Sequence, residues 1–373
     1  MTDIQFALLG HPANYEHVAD LILRLRPSMG AKKVHAHEKS LAKAFEWSSS
    51  FAADEELSVP RADGSTLTGK LIICTFLPEH AHSPRQMSAA YKKTREGVRL
   101  AKELGARIVG LGGFTSIVGG AQGEKLPAEF GIAATSGNSL TAALAMAQLN
   151  LLFSRLEWTL DGQTAAVLGA TGDIGRACAL ALTRESKLKR LILIARNKSK
   201  LESFAKEMQS IGSGIAVETS ADAKAAIRAR LIVAATSSAT PLIAEAELQP
   251  GTVVCDIGYP NTLAYAPGPR PDVLAFHGGL ALAPFQLPIT NYTLLPAPEL
   301  LHGCFAETIV LALADQYESF SIGQGRITLD RMDEILELAQ ALGFRPAPLL
   351  RNTQPISGEA VARFDRHMKN GGR

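Results

Sequence analysis

Residues 165–175 read Ala-Ala-Val-Leu-Gly-Ala-Thr-Gly-Asp-Ile-Gly, and this stretch constrains the fold more than any other. A short apolar run, Ala165 to Leu168, has the composition of a buried strand. It runs into Gly169, Gly172 and Gly175, and then into a helical stretch from Arg176 to Thr183. Strand, glycine turn and helix in this order form a dinucleotide-binding turn. Gly169 permits the tight turn, Gly172 lets the backbone approach a pyrophosphate, and Gly175 lets helix and strand pack closely. The N–H groups at the helix start then face the phosphates. Gly169, Ala170, Thr171, Gly172, Asp173, Ile174 and Gly175 are therefore the candidate phosphate-binding set.

A second apolar run, Leu191-Ile-Leu-Ile-Ala195, lies where the next strand of a βαβ unit belongs. An NAD site usually carries an acidic residue at that strand's end, about 20 residues after the turn. Here the position holds Arg196, followed by Asn197, Lys198 and Lys200. A guanidinium can bind a 2′-phosphate through two parallel hydrogen bonds, whereas a carboxylate would repel it. Arg196, Asn197 and Lys200 thus read as an NADP(H) site; the alternative is a solvated basic turn. Thr236, just beyond the apolar run 231–235, and Tyr259, in Gly258-Tyr-Pro260, extend the candidate cofactor-binding set. Tyr259 either packs on the nicotinamide or only terminates its strand.

The 373 residues allow two to three domains, and 46% hydrophobic with 20% charged residues describe a globular chain. A net charge of +2 gives no reason to expect a nucleic-acid partner. No apolar run is long enough to span a bilayer, and the first residues lack a signal-peptide pattern. The four cysteines (Cys74, Cys178, Cys255, Cys304) have no metal-ligand spacing. A cytoplasmic location, which would keep them reduced, is expected.

Alternating strand and helix patterns predict an α/β fold in three parts. Residues 1–158 form an N-terminal α/β substrate domain with a linking apolar helix, and 159–288 a Rossmann-type NADP-binding domain. Residues 289–373 form a helical C-terminal region. Residues 40–60 give no clear pattern, and the last 20 or so residues read as polar and mobile.

Cys304 has the most telling position of the four cysteines. It follows Pro296, Pro298 and Gly303 and opens an apolar helix. A thiolate there is stabilised by the helix dipole and free N–H groups, which lowers the thiol's pKa. His302 adds to this if charged, and Glu307 reads as a helix-start residue. The alternative is packing, the commoner role of an isolated cysteine. A thiolate beside a nicotinamide suggests a covalent acyl-enzyme that accepts hydride and releases an aldehyde. Backbone N–H groups near Gly278 and Gly279, or at the Cys304 helix start, are candidate oxyanion donors. Thr115 and Ser116 are candidate donors to a substrate carbonyl, or caps of their own turn. The basic segment 91–102 either steers an acidic carrier or forms a solvated helix face. The apolar helix 139–154 lines an acyl channel or belongs to the core.

Several blocks in order carry a resemblance. They are Phe6-Ala-Leu-Leu-Gly-His11, Cys74-Thr-Phe-Leu-Pro78, Leu111-Gly-Gly-Phe-Thr-Ser-Ile-Val118 and Thr135-Ser-Gly-Asn138. Gly169 to Gly175, Leu193-Ile-Ala-Arg-Asn197, Gly258-Tyr-Pro260, Gly278-Gly279 and Cys304-Phe-Ala-Glu307 follow. The chain resembles the long-chain acyl-[acyl-carrier-protein] reductases over nearly its whole length. The resemblance implies NADPH-dependent reduction of a fatty acyl thioester, carried on acyl carrier protein or coenzyme A, to a fatty aldehyde. It places the catalytic cysteine on Cys304 and the 2′-phosphate site on Arg196, and suggests an aldehyde-consuming enzyme as a partner. No metal is implied. Residues 40–65, 283–288 and those after Leu349 depart from the pattern. Two other readings share the glycine turn: a shikimate-dehydrogenase-like reductase of a small ketone or hydroxy acid, and a non-catalytic NADPH-binding protein. A glutamyl-tRNA-reductase-like activity lacks its expected RNA-binding charge and helical arm.

Overall fold

Four parallel strands, Thr66–Ile73, Phe6–Gly10, Ile108–Leu111 and Ala133–Thr135, lie side by side in that order in the first of two compact units. Phe51–Pro60 closes one edge by pairing antiparallel with Thr66–Ile73. The computed structural model describes residues 4–80, 83–185, 187–211, 214–238, 240–323 and 326–369. The first unit comprises Met1–Gly137, Ala283–Arg326 and Leu338–Phe344; the second comprises Asn138–Leu282, Ile327–Glu337 and Arg345–Arg373.

The central strands read as unbroken apolar runs because both faces are covered. Leu9 and Cys74 face the helix Pro84–Glu103, which approaches closely over Gly97. Ser83 caps that helix in a reciprocal box with Gln86, and Pro84 occupies its first turn. One residue along each strand the side chains point the other way. There Gly10 and Gly110 face the helix Gly303–Leu313.

In the second unit six parallel strands stand in the order Val273–His277, Thr252–Asp256, Leu231–Ala234, Thr164–Leu168, Arg190–Ile194, Ala216–Ser220. Numbered along the chain this is 6-5-4-1-2-3, the doubly wound dinucleotide-binding order. The expected α/β architecture with a Rossmann-type sheet is therefore present. The strand order reverses beside Thr164–Leu168, which is where the glycine turn begins.

The helix Asn138–Leu156 sends Ala142, Met146, Leu149, Leu152 and Phe153 into the core of this second unit. Most of the helix belongs to the core, and Leu151 is its one large apolar side chain left exposed. Gln148, also buried, holds the Ala347 carbonyl with Nε2 at 3.1 Å.

Two further expectations need correction. Residues 40–60, which carry no clear pattern, form the helix Glu38–Trp47 and the edge strand Phe51–Pro60. The strand alternates buried and exposed positions, so its solvated face accepts Asp and Glu, and a register shift between Ala52 and Glu56 interrupts the ladder. The tail, expected to be mobile, forms the helix Gly358–Lys369 with Val361 and Phe364 buried. The final residues, 370–373, lie outside the described residues. Among the described residues, no helix is long and apolar enough to cross a membrane, and no cluster of potential metal ligands occurs.

Candidate active site

The dinucleotide turn has the backbone that its sequence predicts. Gly169 has φ of +80°, and a Cβ there would stand 2.1 Å from the Ala235 carbonyl oxygen. A Cβ on Gly175 would stand 2.3 Å from the Gly169 carbonyl oxygen, so helix and strand close up only over glycine. At Gly172 the only neighbour within 4 Å of such a Cβ is the Gly169 carbonyl, at 3.3 Å. This leaves room for a phosphate at the start of the helix Asp173–Glu185. The turn therefore fits a dinucleotide pyrophosphate.

Around the turn the other candidates divide into those with free side chains and those already engaged. Arg196 is exposed just past the strand Arg190–Ile194 and makes no hydrogen bond or ion pair among the described residues. Lys200 is likewise exposed. Asn197 is the N-cap of the helix Lys198–Ser210; its Oδ1 accepts the Lys200 N–H at 3.0 Å. Its Oδ1 is therefore spent on a helix cap, while its Nδ2 makes no hydrogen bond among the described residues and remains available as a donor. Thr236 lies next to Gly169, and its hydroxyl pairs with that of Thr262 at 2.9 Å. Tyr259 stands at the end of the next strand, in a loop organised by buried Asp256. The Asp256 carboxylate accepts the N–H groups of Gly258 (3.0 Å) and Leu263 (2.9 Å). Desolvation pushes the Asp256 pKa up to about 6.

Arg196→Asp tests the 2′-phosphate assignment. It replaces a charge-assisted donor with a repelling carboxylate, so NADPH affinity should fall about 100-fold while NADH affinity changes little. Fluorescence titration of both nucleotides checks this, and equal losses would remove Arg196 from the 2′-phosphate site.

The thiol site is built within the first unit. Loops leave the carboxyl ends of three parallel strands at Gly10-His11, Gly112-Gly113 and Ser136-Gly137, and all three meet the start of the helix Gly303–Leu313. Side chains at the glycines would block this. A Cβ at Gly110 would stand 2.0 Å from Thr308 Oγ1, and one at Gly112 2.5 Å from the Phe305 ring. One at Gly137 would stand 2.1 Å from Cys304 Cα.

Cys304 is half-buried, while Cys74, Cys178 and Cys255 are fully buried and structural. The N–H groups of Gly113, Phe305 and Cys304 itself are hydrogen-bonded to the sulfur. Desolvation outweighs them and, with the Glu307 charge adding to it, holds the resting thiol at about 11. The expected lowering of the Cys304 pKa by the helix start is therefore overturned in the resting protein. The helix-start donors are present, but burial wins.

His302 cannot add a positive charge. Its Nε2 donates to the Thr293 carbonyl at 3.1 Å, and desolvation depresses its pKa. Glu307 is not a helix-start residue but is fully buried, with its Oε1 accepting from the Thr135 hydroxyl.

Four other candidates are also engaged. Thr115 Oγ1 donates to the Gly112 carbonyl at 2.8 Å, and Ser116 Oγ to that of Gly113 at 2.9 Å. Both cap their own turn instead of facing a substrate. In the second unit, Gly278 N–H donates to the Asp256 carbonyl at 2.8 Å, and Gly279 N–H to Gln148 Oε1 at 2.9 Å. Neither N–H is free as an oxyanion donor. The N–H groups of Gly113 and Phe305, by contrast, face the Cys304 sulfur.

His11, which sequence reasoning did not single out, sets the Gly113 turn. The Phe114 N–H donates to His11 Nε2 at 2.9 Å, so the ring proton is on Nδ1, which donates to the Pro12 carbonyl at 2.9 Å. Desolvation lowers the His11 pKa to about 4, and burial also lowers those of His17 and His302. In the unfolded chain these imidazoles titrate near 6.5. Between pH 6.5 and about 4 these imidazoles bind more protons in the unfolded state, whereas Asp256, raised to about 6, binds more in the folded state and offsets part of their effect below pH 6. The imidazoles' contribution to stability is fully present above pH 6.5 and is lost as pH falls through this window. His11 alone accounts for about 3 kcal/mol of that loss. Urea unfolding at pH 7 and pH 5, followed by a near-ultraviolet probe, should show it; His11→Gln should flatten the dependence.

Comparison with known proteins gives three kinds of match. The model of the ornithine cyclodeaminase/mu-crystallin family matches residues 130–262. Aminotransferase PigE of Serratia sp. is 34% identical over 273 residues, covering 73% of this chain; the chain spans only 32% of that protein's length. The long-chain acyl-[acyl-carrier-protein] reductase of Synechococcus elongatus is 28% identical over 360 residues, covering 92% of this chain and 99% of the relative. Among solved structures, quinate dehydrogenase from Corynebacterium glutamicum in complex with NAD covers 99% of each chain at 12% identity, with a TM-score of 0.33.

Proposed function

We propose that this protein is a nicotinamide-dependent oxidoreductase that reduces an acyl thioester to an aldehyde through an acyl-enzyme on Cys304. The observation that carries this reading is the half-buried Cys304 sulfur, facing backbone N–H groups from Gly113 and Phe305 at the carboxyl end of a parallel sheet. The near full-length likeness to the Synechococcus reductase supports it.

The Cys304 sulfur attacks the thioester carbonyl, a carbon–sulfur bond forms to the protein, and the carrier thiol leaves with the proton. The N–H groups of Gly113 and Phe305 are held by the fold before reaction, so stabilising a developing oxyanion costs little reorganisation. Once sulfur is acylated it no longer needs those donors, and they are released to the carbonyl oxygen. The residues that would hold the dinucleotide are Gly169 to Gly175, with Arg196 and Lys200 selecting NADPH. Bound there, the cofactor would supply a hydride to the acyl carbon, and the carbon–sulfur bond to Cys304 would then break to release the aldehyde and return the thiolate. Acyl carrier protein or coenzyme A is the proposed carrier, and an enzyme that consumes aldehyde the proposed partner. In the basic helix Pro84–Glu103, Lys93 pairs with Glu96, Arg95 with Glu129 and Arg99 with Glu103. A carrier would have to compete with these pairs.

The elevated Cys304 pKa favours a second reading, since a thiol held near 11 also describes a packed cysteine. The chain would then reduce a small ketone or imine, with the thiol as structure. One experiment separates the readings. The protein is incubated with NADPH and acyl-CoA or acyl-carrier thioesters of graded length, and separately with small keto acids. Aldehyde release together with an acyl adduct on the Cys304 peptide supports the first reading. Nucleotide oxidation by keto acids alone supports the second.

A further inference from the structure

We infer that Thr135 and Glu307 are positioning residues that lock the Cys304 helix start against the Gly137 turn. The inference rests on the acyl-enzyme reading for its purpose, but it is argued from geometry within the first unit. Thr135 and Glu307 are both fully buried. Thr135 Oγ1 accepts two N–H groups, from Gly137 at 3.2 Å and from Ser321 at 3.1 Å. A hydroxyl has two acceptor sites and one proton. Both acceptor sites are filled, so the proton has one direction left, and it goes to Glu307 Oε1.

Glu307 and Cys304 are three residues apart on one helix and so share a face. Gly137, held by Thr135 at a φ of +70°, rests its Cα against the Cys304 backbone. The path from Cys304 to Glu307, Thr135, Gly137 and back to Cys304 is therefore closed. The segment 319–321 covers its outer side. Ser136 Oγ donates to the Ser321 carbonyl, the Ala134 N–H to Ser319 Oγ at 3.1 Å, and the Phe320 N–H to the Ala134 carbonyl at 3.3 Å. This ring fixes the rotation and height of the helix start, and with them the position of the sulfur relative to the Gly113 N–H.

Alkylation of Cys304 by iodoacetamide, followed by peptide mass spectrometry across pH, tests the inference in the full chain. The other three cysteines are fully buried and should not react in the folded protein. Thr135→Val keeps the shape and removes the hydroxyl. It should slow alkylation at neutral pH about tenfold and raise the midpoint of the pH profile. Thr135→Ser restores the hydroxyl and should return both to within about twofold of the parent. Glu307→Gln keeps an oxygen acceptor but removes the carboxylate, so the midpoint should fall. NADPH affinity and thermal melting confirm folding in each case.

A folded Thr135→Val chain with the parent's rate and midpoint overturns the inference, as does a Thr135→Ser chain no better than Thr135→Val. If Thr135→Val does not fold, Thr135→Ala gives the same readout, and a folded Thr135→Ala chain with the parent's rate and midpoint overturns it. These readouts need no acyl donor. Failure of the acyl-enzyme reading would show separately, as aldehyde release that survives loss of the Cys304 thiol.

Discussion

Cys304→Ala will bind NADPH as the parent does, retain no acyl group and lose aldehyde release by at least about 10³-fold, the scale of removing a covalent nucleophile. The loss should be this complete because nothing beside the sulfur can replace it. His302 is turned to the Thr293 carbonyl and His11 to the Phe114 N–H, and burial keeps both imidazoles neutral. Cys304→Ser places an oxygen in the same donor cluster and should trap acyl groups slowly without efficient turnover. The effect reports chemistry and not collapse, because the dinucleotide turn lies in a different compact unit. Tryptophan and NADPH fluorescence on the same samples check this. Aldehyde formation by Cys304→Ala at even a tenth of the parent rate would falsify the covalent route.

Gly137→Ala should be nearly as damaging, although it adds one methyl group. Gly137 has φ of +70°, which costs a non-glycine residue roughly 1–2 kcal/mol. Its new Cβ would also lie 2.1 Å from Cys304 Cα, a backbone atom that cannot rotate away. The helix start must retreat, and displacement on the scale of an ångström costs about 100-fold in rate. Gly131→Ala is the matched control. Gly131 has φ of +59° and open space around it, so alanine there carries the strain without the collision. It should lower stability by about 1 kcal/mol and leave the rate within about twofold. If the two variants lose activity equally, backbone strain and not contact with Cys304 explains the effect.

Features written in consecutive residues were legible in the sequence. The glycine turn, its flanking strands and the apolar helix after Gly303 all follow from local composition and spacing. Arg196 was visible as a basic residue where an acid is usual, and it is exposed and unengaged. Asn197, in the same run, also caps a helix through its Oδ1, because a short polar side chain before a helix finds the nearest N–H first. The edge strand Phe51–Pro60 was hidden because its solvated face carries Glu and Ser in place of apolar residues. The tail helix was hidden because two buried residues, Val361 and Phe364, are too few to set a visible period.

The thiol site was half legible for a different reason. Its blocks were visible separately as Gly10-His11, Gly112-Gly113, Thr135-Ser-Gly137 and Cys304-Phe-Ala-Glu307. Their meeting depends on parallel strand order, which brings together segments up to about 290 residues apart. Glu307 illustrates the limit. Counting from the helix start makes it a first-turn acid exposed to solvent, whereas the sheet beneath the helix makes it a buried partner of Thr135. The Cys304 pKa fails in the same way: the donors follow from position in a helix, the desolvation from what packs above it.

The row of bare glycines also has a consequence in time. Gly10, Gly110, Gly112 and Gly137 are all made within the first 137 of the 373 residues, and the helix they accommodate is made more than 150 residues later. The ribosome therefore finishes the sheet long before its cover exists, and one apolar face must wait while Asn138–Leu282, the larger part of the second unit, is translated. Arrival of residues 303–321 covers that face and brings Cys304 to the Gly113 and Gly137 turns in the same event. A nascent chain that stalls before that point holds all six strands of the second sheet but neither the Cys304 helix nor the segments Ile327–Glu337 and Arg345–Arg373 that complete the second unit.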